Sequence, residues 1–305
     1  FRRPAEKEYF RWLNHMNDIG LLDPESFVQK TDQYKAKIAT GRVIGLIDQD
    51  WSYGDGEKAL KAAGKFDQGY GHYPVTLSEE YKETSFWPTG FMAGNGVGIT
   101  TDCKDPVRAI KFLDYLASDE GQVLLNWGVE GKQYNVENGK RVIPAEVNNR
   151  IVNDSTNFVK ETGISLYNLL SVHYGDGVKD STGNYYTTKF PEQITSQFNA
   201  VEKETLAAYK VDSWKGLFPK EEEFKVKPWG AAWNIPVPGD SEIVVLDNKL
   251  KDITWKRIPE AILSKPADFD KIWDAYMADL DKAGVTKAEG LREALVKERV
   301  KMWTE

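Results

Sequence analysis

The fold is decided by residues 94–131, which read GNGVGITTDCKDPVRAIKFLDYLASDEGQVLLNWGVEG. Alternate residues from 94 to 98 are glycine, so a strand here would carry no side chains on one face and could be approached closely. Asp105 precedes Pro106, an acceptable N-cap followed by a residue whose fixed φ suits the first helical turn. The apolar residues that follow recur at helical spacing: Val107, Ile110, Leu113 and Leu116. The pattern predicts a strand, a turn and one long amphipathic helix whose apolar stripe packs on another element.

The same stretch carries an ordered set of motifs. They are Asn95-x-Val97-Gly98-Ile99-Thr100, then Asp105-Pro106, then Ile110-Lys111-Phe112-Leu113-Asp114-Tyr115-Leu116-x-Ser118-x-Glu120-Gly121, and last Gly128-Val129-Glu130-Gly131-Lys132-x-Tyr134. In order and spacing these motifs resemble the extracellular solute-binding proteins of carbohydrate ABC transporters. The branch that they resemble most is the large lipoprotein branch of the maltose-binding-protein superfamily, which includes the alginate-oligosaccharide binders.

The resemblance implies an α/β fold of the type II periplasmic-binding-protein kind, in which two lobes close on a ligand. In that family the glycine-spaced strand crosses between the lobes near the hinge, and the helix belongs to the first lobe. Members are longer and begin with a signal sequence, so this chain is expected to be a C-terminal part, mainly the helix-rich second lobe. We expect a second-lobe segment over residues 1–93, a first-lobe excursion over 94–145 and a second-lobe helical segment over 146–305.

The resemblance also implies partners and a location. A protein of this family binds an oligosaccharide in the interlobe cleft and delivers it to the permease subunits of an ABC importer. It would be extracellular, either as a cell-surface lipoprotein or in the periplasm, and would contact a membrane only through an N-terminal anchor that lies outside this sequence. We expect a monomer that needs no cofactor.

Composition narrows the classes of function. The chain has 305 residues, of which 41% are hydrophobic and 29% charged, and this length suggests two domains. The net charge of -7 would repel phosphate backbones, so nucleic acid is not an expected partner. Cys103 is the single cysteine, which excludes an intrachain disulfide and a thiolate metal cluster, so a free thiol is expected.

Local patterns predict further elements. A helix is predicted from Pro4 to a left-handed C-cap at Gly20, and the apolar, β-branched run 43–47 predicts a buried strand. The turn at 137–139 predicts a short strand over 141–143, whereas residues 144–190 are polar and are predicted to be irregular. Further helices are predicted over 33–39, 57–63, 191–209, 241–258 and 266–283, and from a capping box of Thr286 and Glu289 to Trp303.

Trp51 is the strongest candidate for a binding residue. It follows the predicted strand over 43–47, and the ends of buried strands are where α/β folds place ligand sites. An indole can cover the apolar face of a pyranose and leave the hydroxyls free, and its position matches a sugar-stacking tryptophan of the resembled family. Asp48 and Asp50 alternate with it and could accept hydrogen bonds from sugar hydroxyls, or could equally be solvated loop acids. The alternative for Trp51 is a tryptophan that closes the end of a core.

Aromatic residues on predicted loops form a second group of candidates. Trp229, Trp233 and Asn234 lie in a stretch that prolines bracket and glycine interrupts, which excludes a regular helix and suits a carbohydrate-binding wall. Trp87 precedes the glycine-spaced strand, and Tyr174 lies in a stretch where related binders present cleft aromatics. The alternative for each tryptophan is an anchor that holds its loop to the core.

Metal sites are not expected. The three histidines, His15, His72 and His173, lack the spacing of a helical zinc pair. Residues 176–183 superficially resemble a calcium loop, but they lack the alternating oxygen ligands and the terminal glutamate.

Two classes of function therefore remain: a non-enzymatic oligosaccharide-binding protein, and a glycoside hydrolase or lyase. Hydrolysis needs two carboxyl groups placed across one glycosidic bond. The carboxylates of this sequence, among them Asp48 and Asp50, do not lie in a recognisable setting of an acid and a nucleophile. The sequence favours the binding protein.

Overall fold

The computed structural model describes residues 1–88, 90, 96–167, 170–227, 230–232 and 234–304, and twelve α-helices and one antiparallel sheet lie in them. The helices are α1 (Pro4–Asp18), α2 (Thr31–Ala39), α3 (Asp50–Ala62), α4 (Pro106–Ala117), α5 (Asp119–Asn126), α6 (Ala145–Asn153), α7 (Ser155–Thr162), α8 (Pro191–Ser196), α9 (Ala200–Ala208), α10 (Glu242–Leu263), α11 (Phe269–Ala283) and α12 (Val285–Thr304). The strands are β1 (Asn135–Glu137) and β2 (Lys140–Val142). Short 3₁₀ helices span Pro24–Phe27, Phe66–Gln68, Trp214–Leu217, Glu221–Glu223, Gly230–Ala232 and Pro266–Asp268.

The chain divides into two compact units. Unit 1 comprises Phe1–Tyr34, Tyr73–Asn95 and Phe218–Glu305, and unit 2 comprises Lys35–His72 and Gly96–Leu217. These units are defined by contacts alone, so the predicted lobe segments 1–93, 94–145 and 146–305 stay a prediction. None of the described helices combines the length and the apolar composition that crossing a bilayer requires.

Unit 1 is centred on α11. The core residues of this helix recur at helical spacing and are buried: Phe269, Trp273, Tyr276 and Leu280. They pack against Phe10 of α1 and against Ile258 and Ile262 of α10. The helix ends at Gly284, whose φ of 96° is the left-handed conformation that glycine adopts without strain. The predictions of α1, α10 and α11 are confirmed.

A buried amide joins α1 to the end of α10. The Asn14 side chain, 2% exposed, places Nδ2 at 3.2, 2.9 and 2.7 Å from the carbonyl oxygens of Ala261, Ile262 and Ser264. These carbonyls belong to the last turn of a helix, where intrahelical donors are missing. Asn14 therefore caps α10 from a distant part of the sequence.

Unit 2 has two small cores around the β1–β2 hairpin. One contains Val123, Trp127 and Tyr134, and the other contains Val147, Phe158 and Ile164, with Ile143 packed against both. The hairpin turn has positive φ at both central positions, 52° at Asn138 and 76° at Gly139, as a two-residue turn of type I′ requires. This turn was predicted from the sequence and is confirmed.

The stretch 94–131 differs from its prediction in three respects. Residues 96–100 form no strand, and Gly94 and Asn95 lie outside the described residues. The single long helix is two helices, because Ser118 leaves the helical conformation and its hydroxyl accepts a hydrogen bond from the Gly121 amide, which begins α5. The apolar stripe is only partly covered.

The first half of the apolar stripe of α4 is exposed to solvent. Leu116 is buried, but Val107 and Ile110 are 62% and 57% exposed. The cap itself was predicted correctly, since the Asp105 carboxylate accepts a hydrogen bond from the Arg108 amide and Pro106 begins α4. Local cap chemistry is thus confirmed, whereas the prediction that the whole stripe packs on another element is wrong.

Three further predictions are wrong. The run 43–47 is not a strand, and Ile44 is 98% exposed, because no described segment pairs with it and an unpaired strand is not stable. Residues 144–190 are not irregular throughout, since α6 and α7 lie there. Thr286 does not cap the last helix, because α12 begins directly after Gly284. The α/β expectation holds only in a coarse form: 57% of the described residues are helical and one small sheet lies among them, which is compatible with part of an α/β lobe.

Candidate functional site

Trp51 lies in the first turn of α3 and not at the end of a strand. The buried residues of this helix lie on one side: Tyr53, Gly54, Gly56, Glu57 and Leu60. Trp51 lies on the opposite side, and 82% of its surface is exposed. The indole is therefore not a core residue. It is a large apolar surface that faces solvent from the start of a helix.

The helix that presents Trp51 is fixed by close packing. A side chain at Gly56 would come within 2.7 Å of Ile38 Cγ2 and 3.0 Å of the Lys35 carbonyl oxygen, so glycine permits α3 to lie directly against α2. On the same side of α3, Lys61 Nζ lies 3.7 Å from Glu57 Oε1 and 3.0 Å from Glu202 Oε1. The helix that carries Trp51 is thus fixed by buried packing and by a largely buried ion-pair network.

Asp48 and Asp50 lie beside Trp51 in the chain. The Asp48 carboxylate accepts a hydrogen bond from the Gln49 amide at 2.7 Å, and both aspartates are exposed. Ile47, next to Asp48, is 64% exposed. The structure therefore places three of the predicted residues on one exposed segment, where two aspartates precede the apolar indole in the chain.

Trp87 lies in unit 1 and is already engaged by its own unit. Its indole Nε1 donates to the Lys225 carbonyl oxygen at 2.6 Å, its ring stacks on Phe224 with centroids 5.6 Å apart, and Lys227 Nζ lies 4.9 Å from the ring centroid. The ring is 37% exposed. These contacts fit an anchor between two loops, and a role in binding stays a prediction.

Tyr174 lies in unit 2 and is held in a similar way. Its hydroxyl donates to the Ala117 carbonyl oxygen at 2.7 Å, and its ring packs on Tyr186 with centroids 4.8 Å apart. The side chain is 42% exposed. Its predicted role in the binding site is untested by this geometry, which shows only that one face of the ring is occupied.

The last predicted residues lie around the sharp bend at Asn234. This residue is exposed and has a φ of 53°, the left-handed conformation that asparagine tolerates better than most residues. Trp229 and Trp233 lie outside the described residues. Of the three residues predicted to form the carbohydrate-binding wall, only Asn234 lies in the described part of the chain.

Sequence reasoning missed a polar network in unit 2. Arg141 Nη2 lies 2.5 Å from Asp180 Oδ2, and Asp119 accepts hydrogen bonds from the Ser181 hydroxyl at 2.6 Å and from the Tyr186 hydroxyl at 2.5 Å. These five residues come from three distant segments, and nothing in the sequence relates them. Only the start of α5 at Asp119 has a local signal, because acids favour the first turn of a helix.

A cavity of about 410 Å³ adjoins this network, and Tyr115, Glu120 and Tyr134 also line the cavity. The hydrogen bonds from Ser181 and Tyr186 lower the pKa of Asp119, and the hydrogen bond to Asp119 raises the pKa of Tyr186 to about 12. Arg141 and Asp180 thus already bind each other, and Asp119 already accepts from two hydroxyls. The network stabilises unit 2 and leaves few polar groups for a ligand.

Metal ligation finds no support in this part of the molecule. The loop at 176–183 uses its buried acid internally, since Asp180 also accepts from the Thr182 hydroxyl at 2.6 Å. Across the described residues, no group of three His, Cys, Asp or Glu side chains comes together as a metal site.

The sequence of the first third of the chain matches a known family. Residues 7–123 match the family model described as bacterial extracellular solute-binding protein. The matched segment is a little over a third of the chain and contains most of α1, all of α2 to α4 and the start of α5, and so the whole of the helix that presents Trp51. No curated protein matches the chain. The match supports a likeness to solute-binding proteins that act outside the cell for ABC transport. Proteins of that family have a periplasmic-binding-protein-like fold and are generally not enzymes.

Proposed function

We propose that this protein binds an oligosaccharide and delivers it to the permease of an ABC importer, without chemical change to the sugar. The observation that carries the proposal is the exposed indole of Trp51, 82% accessible at the start of a firmly packed helix. An exposed indole offers a flat apolar face to a ligand, and sugar rings are a natural partner for it.

The chemistry around Trp51 suits a sugar. The indole can stack on the C–H face of a pyranose, which removes apolar surface of both groups from water. Asp48 and Asp50 supply carboxylate oxygens next to it, and a charged acceptor makes a stronger hydrogen bond to a hydroxyl than a neutral acceptor does. Packing of α3 against α2 holds the helix that carries Asp50 and Trp51 in place before a ligand arrives, which lowers the entropy lost on binding.

The family match supports the same function in coarser terms. The matched segment includes Trp51, and the family binds solutes for ABC transport outside the cell. Oligosaccharide as the solute, delivery to permease subunits, attachment as a lipoprotein and a monomeric state are parts of our proposal.

Calorimetric titration tests the proposal. The panel consists of disaccharides to hexasaccharides of three neutral series, malto-, cello- and manno-oligosaccharides, and one uronate series derived from alginate. We expect at least one series to bind, and Trp51→Ala to weaken that binding about tenfold, since ring stacking is worth about 1 kcal/mol beyond area burial. Trp255→Ala is the matched control, because this tryptophan of α10 in unit 1 is also exposed, at 72%.

Two results would overturn the proposal. One is that no series binds to the wild-type protein. The other is that Trp51→Ala lowers the melting temperature but leaves the affinity of the folded molecules unchanged, as a core tryptophan would. Thin-layer chromatography of the same mixtures distinguishes the hydrolase or lyase alternative, because shortened products would identify an enzyme.

A further inference from the structure

A groove of about 190 Å³ lies in unit 2, where α3 faces the junction between α6 and α7. Asp55, Lys58, Ala59 and Ala62 form its α3 side, and residues 152–156 form the opposite side. The side chains of Asp55 and Lys58 are 62% and 54% exposed. The groove is therefore open to solvent along one face of the helix.

This is the face that carries Trp51. Residues 51, 55, 58 and 62 are spaced by four, three and four positions, and side chains at this spacing lie above one another on an α-helix. The rise from Trp51 to Lys58 is about 10 Å at the usual 1.5 Å per residue. The indole and the groove thus lie in one line, and a ligand that covers both must be longer than a single sugar ring.

We propose that the groove is a second subsite, and that an uncharged oligosaccharide runs along α3 from the Trp51 indole into it. The inference rests on the proposed function, because it assumes a sugar on Trp51. To the proposed function, this inference adds the direction of the bound oligosaccharide, its minimum length and its lack of charge.

The groove offers polar groups that suit sugar hydroxyls. Asp55 is a carboxylate acceptor, since a hydrogen bond from Lys35 at 2.6 Å lowers its pKa. The hydroxyls of Ser155 and Thr156 make no hydrogen bond within the described part of the chain and are available to a ligand. The two alanines add small apolar surface between these groups, as carbohydrate sites require.

The charges along this line disfavour an acidic sugar. Asp48 and Asp50 precede Trp51 in the chain, and Asp55, Lys58 and Asp154 line the groove. Lys35 Nζ lies 2.6 Å from Asp55 and Arg150 Nη2 lies 3.9 Å from Asp154, so four carboxylates stand against three cationic groups. The one excess negative charge disfavours uronates and tolerates neutral rings. A neutral chain is therefore the expected ligand, despite the likeness of the sequence to alginate-oligosaccharide binders.

The test compares chain lengths in the same four oligosaccharide series. We expect a neutral series to bind, with affinity that rises about tenfold from disaccharide to hexasaccharide as the chain reaches the groove. Ala59→Gln fills the groove from an exposed helical position and should remove this rise while the disaccharide affinity stays unchanged. Ala63→Gln is the matched control, because Ala63 is exposed at the end of the same helix and does not line the groove. Thr156→Val, which removes one hydroxyl without a change of shape, should remove part of the rise.

The outcomes separate the two proposals. If Ala59→Gln keeps the full dependence on length while Trp51→Ala still weakens binding, the groove is not a subsite and the proposed function stands. Stronger binding of the uronate series than of every neutral series overturns the assignment of an uncharged ligand. If no series binds, or if Trp51→Ala has no effect, the proposed function itself is wrong.

Discussion

Arg141 and Asp180, 39 residues apart in the chain, form an ion pair with a nitrogen–oxygen distance of 2.5 Å. The side chains are 10% and 1% exposed, so both charges have left water. The Arg141 guanidinium also lies 5.7 Å from the Trp127 ring centroid, and its Nη1 donates to the Tyr185 carbonyl oxygen at 3.3 Å. The pair therefore connects the hairpin, a core of unit 2 and the loop at 180–186.

We expect Asp180→Asn to lower the free energy of unfolding by about 3 kcal/mol, because it leaves a buried guanidinium without its counter-charge. Urea unfolding followed by circular dichroism measures this loss. Glu293→Gln is the control, since its pair with Lys297 is exposed and should contribute little to stability. Equal effects of the two substitutions would contradict the assignment of Arg141 and Asp180 as a buried pair.

The hydrogen bond from Tyr186 to Asp119 predicts alkaline destabilisation of unit 2. The pKa of Tyr186 is raised to about 12, above the value of about 10 in an unfolded chain. A raised folded pKa contributes stability that is complete below the unfolded value and is lost as the pH rises through the folded value. Stability should thus fall between pH 10 and about 12, and Tyr186→Phe should remove this part of the pH dependence.

Asp119 predicts the opposite dependence in acid. Its pKa is lowered by hydrogen bonds from Ser181 and Tyr186, so its contribution is present above the unfolded pKa and is lost as the pH falls through the folded value. Ultraviolet titration of tyrosinate and thermal melts across the pH range measure both ends. A Tyr186→Phe variant with the alkaline profile of the wild type would show that this hydrogen bond does not form.

The Asn14 cap predicts a large effect from a small substitution in unit 1. Asn14→Ala removes the amide that serves three carbonyls at the end of α10, and we expect a loss of about 2 kcal/mol of unfolding free energy. Asn14→Asp should cost more, because it points a carboxylate at carbonyl oxygens. Asn17→Ala, on the same helix but not among the buried residues, should change stability by about 0.5 kcal/mol or less. Urea unfolding that ranks Asn17→Ala beside Asn14→Ala would be the contrary result.

Elements that depend only on residues adjacent in the chain could be predicted from this sequence. The Asp105 cap, the turn at Asn138 and Gly139, and the stop at Gly284 are each decided by a few adjacent residues, and all three are present. The run 43–47 fails for the opposite reason. A strand exists only if a second strand pairs with it, and the identity of that partner is not a local property.

The same distinction applies to the candidate site. Trp51 was identified by its residue type, and its exposure agrees with a binding role, but the expected setting was a strand end and the observed one is a helix start. The groove against residues 152–156 could not be foreseen, because it depends on the approach of α3 to segments about a hundred positions away. The network of Asp119, Arg141 and Asp180 was missed for the same reason.

Two glycines provide a last test, since the sequence and the structure disagree about which of them needs to be glycine. The alternation from 94 to 98 predicted close approach of another backbone, yet no atom of the described residues lies within 4 Å of a Cβ placed on Gly98. Gly121, inside α5, has no such pattern, but a Cβ there would lie 2.1 Å from the Tyr115 carbonyl oxygen and 2.8 Å from Leu116 Cα. Neither group is a flexible side chain, so the backbone must shift.

We expect Gly121→Ala to lose about 2 kcal/mol of unfolding free energy, since steric strain outweighs the gain of about 1 kcal/mol in helix propensity. Gly98→Ala should change stability by about 0.5 kcal/mol or less. Paired urea titrations decide between the two views: a destabilised Gly98→Ala together with a tolerated Gly121→Ala would mean that the crossing strand predicted from the sequence forms after all.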